Sequence, residues 1–233
     1  MISHRRIFRS VLLALLVLLC AGVASATGVS FTGTFSQDDD MQIVHFNVQT
    51  ATTVTIETWS FGGSSLAPGG TNAAGNVIPA GGFPTVLSLF DDSTGQLDLS
   101  DAGGNASCAY CAQDPATGAT SDAYISALLS AGTYLLVVTE NDNTAIGPYF
   151  VDGFQHSGQG NFTSQYGASG PFLWPFQDLE GNFVYRSGNW AVDITGASPE
   201  GTTPEPASLA LVVSGLVLFF APRLSGSRRN PKI

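Results

Sequence analysis

QIVHFNVQTATTVTIETW, residues 42–59, carries two apolar alternations almost back to back. Val44, Phe46 and Val48 alternate with His45 and Asn47. Val54 and Ile56 then alternate with Thr55 and Glu57. In extended chain, successive side chains point to opposite faces, so each run presents one apolar face, with Ile43 and His45 on the other. The β-branched content and the short QTA link predict two consecutive half-buried strands.

The same period recurs on either side. It is present in VSFTGTF (29–35), TVLSLF (85–90), GTYLLVVTE (132–140), PYFVDGF (148–154) and NWAVDIT (189–195). Clusters of Gly, Asn, Asp and Pro separate these runs, as turns require. Only SDAYISALLSAG (121–132) has helical character, and we read it as a short strand or helical turn ahead of a strong strand. Seven or eight strands in one domain predict an all-β fold, a β-sandwich or jelly roll. No internal repeat with a period of about 20–50 residues is evident. One long Gly-rich, nearly uncharged insertion spans 60–84; loops of that length are functional or mobile. It is not a phosphate-binding loop, because no Gly-Lys-Ser/Thr follows its glycines.

The two ends of the 233-residue chain are of different character. His4, Arg5, Arg6 and Arg9 precede an apolar run at 11–19 and the small residues Ala24-Ser25-Ala26. That order predicts a secretory signal peptide at 1–26. A lipoprotein anchor on Cys20 is disfavoured by Leu19 before it. At the other end, a Pro-rich linker (198–203) leads to Pro204-Glu205-Pro206, an apolar run at 207–221 and a basic tail at 222–233 with Arg223, Arg228, Arg229 and Lys232. As a helix the run is about 22 Å long against a hydrocarbon core of about 30 Å. The cationic flank supplies the cytoplasmic bias of a membrane span, and snorkelling side chains ease the short length.

Between the ends, residues 27–197 predict the sandwich domain. Taken with its linker, from 27 to 203, the body holds 17 of the 18 acidic residues and one of the eight basic ones, Arg186. Such a charge repels nucleic acid and anionic lipid and leaves few means of gripping phosphate.

The last 30 residues resemble the PEP-CTERM sorting signal of exopolysaccharide-producing Gram-negative bacteria: motif, apolar helix and basic tail stand in order. The resemblance implies recognition at Pro204, Glu205 and Pro206 and removal of the tail by an exosortase. On that reading the span is transient, in the manner of a hydrophobic lipid-anchor signal. The body resembles an uncharacterised family of exported bacterial proteins that often carry such tails. The resemblance runs through TGTFSQDDDMQIVHFNV, VTIETWSFGG, TNAAGNVIPAGGFPTVLSLFDDSTGQL, AGTYLLVVTENDN and WAVDITG. More weakly, its opening and the AGTYLLVV strand resemble pre-peptidase C-terminal domains. Those are β-sandwich modules without catalysis of their own.

Carboxylates gather at strand ends. Asp38, Asp40, Asp91, Glu140 and Asp142 are the best candidates for oxygen ligands of a hard cation such as Ca2+. No EF-hand spacing is present, and the plainer reading is solvated acidic loops that blunt strand edges. Cys108 and Cys111 form CAYC; in an oxidising compartment we read them as a local disulfide rather than a redox or zinc motif. Trp174 and Trp190 lie in an aromatic stretch that suits either a core or stacking on sugar rings. No G-x-S-x-G elbow appears, and His45 and His156 lack a nucleophile partner in sequence. The expectation is therefore a non-enzymatic exported protein, structural or adhesive at the cell surface or in the extracellular matrix. Its partners would be an exosortase, the inner membrane before processing and exopolysaccharide, but not nucleic acid. The alternative is a carbohydrate- or calcium-binding module; no other cofactor is expected.

Overall fold

The computed structural model describes residues 28–64, 67–68, 71–102, 120–166, 171–172, 180 and 186–200. The predicted signal segment, Cys108, Cys111, Trp174 and the segment from Pro204 onward lie outside these.

The described residues form an all-β fold of two antiparallel sheets facing one another. The strands are β1 (Val29–Thr34), β2 (Met41–Val48), β3 (Thr52–Thr58), β4 (Gly63–Ser64), β5 (Ala67–Pro68), β6 (Thr85–Asp91), β7 (Leu97–Ala102), β8 (Tyr124–Leu129), β9 (Gly132–Glu140), β10 (Asn189–Thr195) and β11 (Ser198–Pro199). One sheet runs β1-β10-β3-β8 and the other β11-β2-β9-β6-β7, with β4 and β5 as a small separate ribbon.

The alternation at 42–59 fixes the two inner faces. Val44, Phe46 and Val48 point inward from β2, and Val54 and Ile56 from β3, on opposite sides of one core. Leu87, Leu89, Leu136 and Val138 join from the second sheet, Trp190, Val192 and Ile194 from the first. Full burial of each such side chain is worth about 1.5–3 kcal/mol. His45 falls on the outer face, as its spacing predicts, with Nδ1 3.5 Å from Asp92.

β9 departs from simple alternation because both of its faces are buried, which calls for a continuous apolar run. Leu135 and Val137 point outward into a second cluster with Phe90 and Phe154, against which Leu97, Ala145 and Phe150 pack. The cover is the segment after β9, tied down by Asn141 N–H to Pro84 O, Leu97 N–H to Pro148 O and Phe150 N–H to Gly95 O.

This packing corrects one expectation. Residues 148–154 are not a strand but contain a 3-10 turn, Phe150–Asp152, whose Asp152 carboxylate accepts the Tyr149 N–H. Phe150 and Phe154, four apart, both reach Phe90, while Val151 between them is 89% exposed. Gly153, at φ 82°, ends the turn. Segment 121–132 resolves as the strand β8. The edge strand β7, with the polar sequence LDLSDA, has no counterpart in the alternation pattern.

The described part of the insertion, chiefly 71–84, folds back over the outer face of the first sheet. Trp59 N–H donates to Ala191 O, and Ala191 N–H to Ser60 Oγ. Further along, Ala73 N–H donates to Asp193 and Ala74 N–H to Ser30 Oγ. Its return limb packs so closely that a Cβ on Gly82 would lie 2.2 Å from Asn189 O and 2.5 Å from Ser60 O. Backbone cannot yield there as a flexible side chain would. Gly82→Ala should therefore destabilise the protein by about 2–3 kcal/mol in urea unfolding. Gly132→Ala, where a new Cβ meets only Tyr134 at 3.8 Å, should be close to neutral.

Candidate functional site

The five candidate carboxylates do not converge on one point. β6 and β9 run antiparallel with Thr85 opposite Glu140 and Asp91 opposite Tyr134. Asp91 therefore stands at the opposite end of β6 from the Glu140 pairing, about 20 Å away at strand rise. It serves its own turn, accepting from Ser93 Oγ, Thr94 N–H and Thr94 Oγ1; the Ser93 contact leads in holding its pKa below the usual value. Asp40 closes the β1–β2 loop by accepting from Ser36 N–H, Ser36 Oγ and Gln37 N–H. Burial pulls its pKa upward, but those bonds together outweigh it and the net shift is down.

Asp38 and Glu140 do come together. Asp38, in the same β1–β2 loop, is completely buried. Its Oδ2 accepts from Thr163 N–H and Oγ1, and its Oδ1 from Phe172 N–H at 2.6 Å. It is an anchor that pins two distant segments to the loop. Glu140 ends β9 on the inner face, in line with Tyr134, Leu136 and Val138, and is also fully buried. Neither of its carboxyl oxygens has a well-formed hydrogen-bond partner, and its approach to the Asp38 carboxyl is too loose to count as one. Burial first, then Asp38 and then Asp142, push its pKa up to about 10.

Beyond the strand end, Asp142 takes a left-handed backbone (φ 70°), and Asn143 is buried with its Oδ1 accepting from His156 N–H. The Asn143 Nδ2 has no partner. His156 stacks on Phe162, the rings 4.0 Å apart. Among the described residues, no group of three or more His, Cys, Asp or Glu is arranged to hold a metal ion.

A second buried polar centre went unread in the sequence. Asp122, just before β8, accepts from Phe61 N–H, Gly62 N–H and Thr58 Oγ1, while Thr58 Oγ1 also meets Thr85 Oγ1. Burial pushes Asp122 up to about 6 against the pull of those bonds. Nearby Glu57 is raised to about 7, by burial first and then by Asp122 and Asp193. Arg186 lays its guanidinium 3.5 Å from the centroid of the Phe61 ring, and burial lowers its pKa to about 10. The available signals were the lone basic residue of the body and an aspartate opening an apolar strand.

Trp190 is 5% exposed and belongs to the core. Its indole lies across Gly33, where a Cβ would approach within 2.5 Å, and 6.0 Å from Phe35. Beside it, β1, the start of β10 and residues 76–79 of the insertion border a crevice of about 320 Å3.

No family model and no curated protein matches the chain. The pre-peptidase C-terminal domain of collagenase from Bacillus anthracis is similar at 17% identity and a TM-score of 0.27, over 50% of this chain and 80% of that domain. That degree of likeness carries no functional conclusion.

The pH dependence of stability should carry the mark of Glu140. Its folded pKa lies above its unfolded value of 4.5, so its contribution is fully present below that value and is lost as pH rises towards 10. Glu57 and Asp122 act with the same sign at lower pH. Melting temperature should fall from about pH 5 to about pH 9, and Glu140→Gln should flatten the alkaline part, stabilising by about 1–3 kcal/mol near pH 9.

Proposed function

We propose that the chain is an exported, non-catalytic protein with a structural or adhesive role at the cell surface or in an extracellular polysaccharide matrix. The observation that carries this reading is the order of segments. A basic-then-apolar N-terminus ends in Ala-Ser-Ala, and Pro204-Glu205-Pro206, the apolar run 207–221 and the arginines follow at the far end. The first delivers the body across the inner membrane. The second holds it there until an exosortase cuts at the Pro-Glu-Pro motif. The acidic body is suited to remaining solvated outside the cell. Both outer sheet faces carry cover from the chain's own loops, which suits a module exposed to a changing medium.

Mass spectrometry of the exported protein tests this. The mature chain should lack residues beyond the Pro-Glu-Pro motif. A mature form that retains Arg228 and Arg229 overturns the processing, and a chain that stays in the cytosol overturns the export.

A second reading, calcium binding, is favoured by one specific observation. Glu140 is a buried carboxyl with no well-formed partner beside a second buried carboxyl, Asp38. A cation there would replace repulsion by attraction, with Asp142 the next carboxyl near Glu140. On this reading Ca2+ in large excess over its Kd raises the melting temperature by about 5–10 °C relative to chelator. Glu140→Gln removes that shift. No shift in the unsubstituted protein leaves Glu140 as a neutral acid and ends the calcium reading.

A further inference from the structure

The crevice beside β1 has a lining unlike the rest of the body. Every described residue that borders it is uncharged, in a body with 17 acidic residues and one basic. Its polar groups are hydroxyls and carboxamides. Among the described residues the Thr32 hydroxyl has no partner, and neither does the side-chain amide of Asn76. Thr34 Oγ1 donates to Asn189 Oδ1 at 2.8 Å, which leaves the Asn189 NH2 group free to donate and the Thr34 oxygen free to accept. Alongside these stand the apolar Val77, 79% exposed, and Pro79. At about 320 Å3 the space is at the small end of ligand sites.

The walls are built, not incidental. Asn72 and Asn76 close a turn through Asn72 N–H to Asn76 O and Asn76 N–H to Asn72 Oδ1. Gly75 supplies its left-handed residue at φ 83°. The turn is fastened to β10 through Ala73 N–H to Asp193 Oδ2 at 2.7 Å. The return limb is fastened through Gly82 N–H to Ser60 O and Ser187 N–H to Gly81 O. Asn76 and Val77 are therefore presented from a fixed turn across from Thr32 and Asn189 on the sheet. Preorganised polar groups of this kind lose little entropy on binding.

We propose that this crevice binds a neutral sugar residue of a polysaccharide; the inference rests on the matrix reading above and supplies its ligand. Sugar hydroxyls both donate and accept, so a ring carrying several of them can satisfy the Asn189 NH2 group, the Thr hydroxyls and the Asn76 amide between them. The C–H face of a pyranose matches the apolar surface of Val77 and Pro79. Uronate or sulfated sugars would meet the negative field of the body with no cation in the lining to hold them. The polar groups are side chains placed around a concavity, not a ladder of free backbone groups, which favours a glycan over an extended peptide.

The test uses the full chain in mild detergent, titrated calorimetrically with neutral gluco-, manno- and galacto-oligosaccharides. An oligouronate and a neutral peptide serve as comparators. At least one neutral oligosaccharide should bind. Val77→Asp and Asn76→Ala should each weaken it by about tenfold or more. Because both side chains are exposed, the melting temperature should stay put. The proposal is overturned if no neutral oligosaccharide binds, if affinity survives both substitutions, or if only the oligouronate or the peptide binds. Processing is read separately, from the mass of the exported chain, so failure of this site and failure of the matrix reading give different results.

Discussion

Leu135 and Val137 point away from the interior of the sandwich, yet they are nearly as hidden from water as Leu136 and Val138, which point into it. β9 pairs with β2 on one side and β6 on the other, so its backbone is fully committed and its side chains are apolar on both faces. A strand of that kind cannot sit in a sheet with one wet side. It requires a third layer, and the loop after β9 becomes that layer by bringing Phe150 and Phe154 onto Phe90. The first sheet is treated in parallel fashion by the insertion between β3 and β6. Two segments that look like slack connections in the sequence are thus cover plates.

Acidic side chains fasten these plates. With scarcely any lysine or arginine in the body, the aspartates are satisfied by backbone amides instead of cations. Asp38 holds Thr163 and Phe172, Asp122 holds Phe61 and Gly62, Asp193 holds Ala73, and Asp101 holds Tyr124. Bonds from N–H to carboxylate are about twice as strong as neutral ones. They also secure loops whose own side chains are too small to be held by packing. Glu140 is the departure from this pattern, a carboxyl placed on the inner face with no such donor.

The period-two signal made much of the scaffold legible. Segments 132–140 and 189–195 match β9 and β10 residue for residue, and 42–59 gave both strands and the correct inward faces. It failed where side chains answered to a neighbouring surface and not to a sheet. In 148–154 the Phe150–Phe154 spacing of four served Phe90, and a turn resulted. β7 was missed because its alternation rests on only two leucines, Leu97 and Leu99, in an otherwise polar run. Among candidate site residues, chemistry was readable but convergence was not. Asp38 and Glu140 meet across about a hundred residues of chain, while Asp91, in a similar local setting, serves only its own turn. The crevice was equally hidden, because its lining is of common residue types brought together by the fold-back of 60–84.

The burial of Arg186 has a consequence for the resistance of the folded domain to digestion. It is the single basic residue between positions 27 and 203, it is 7% exposed, and it sits against the Phe61 ring. Proteases that must seat an arginine or lysine before they cut would find none exposed between residues 27 and 203 of the folded chain. A single added surface lysine would give such a protease a place to start its digestion.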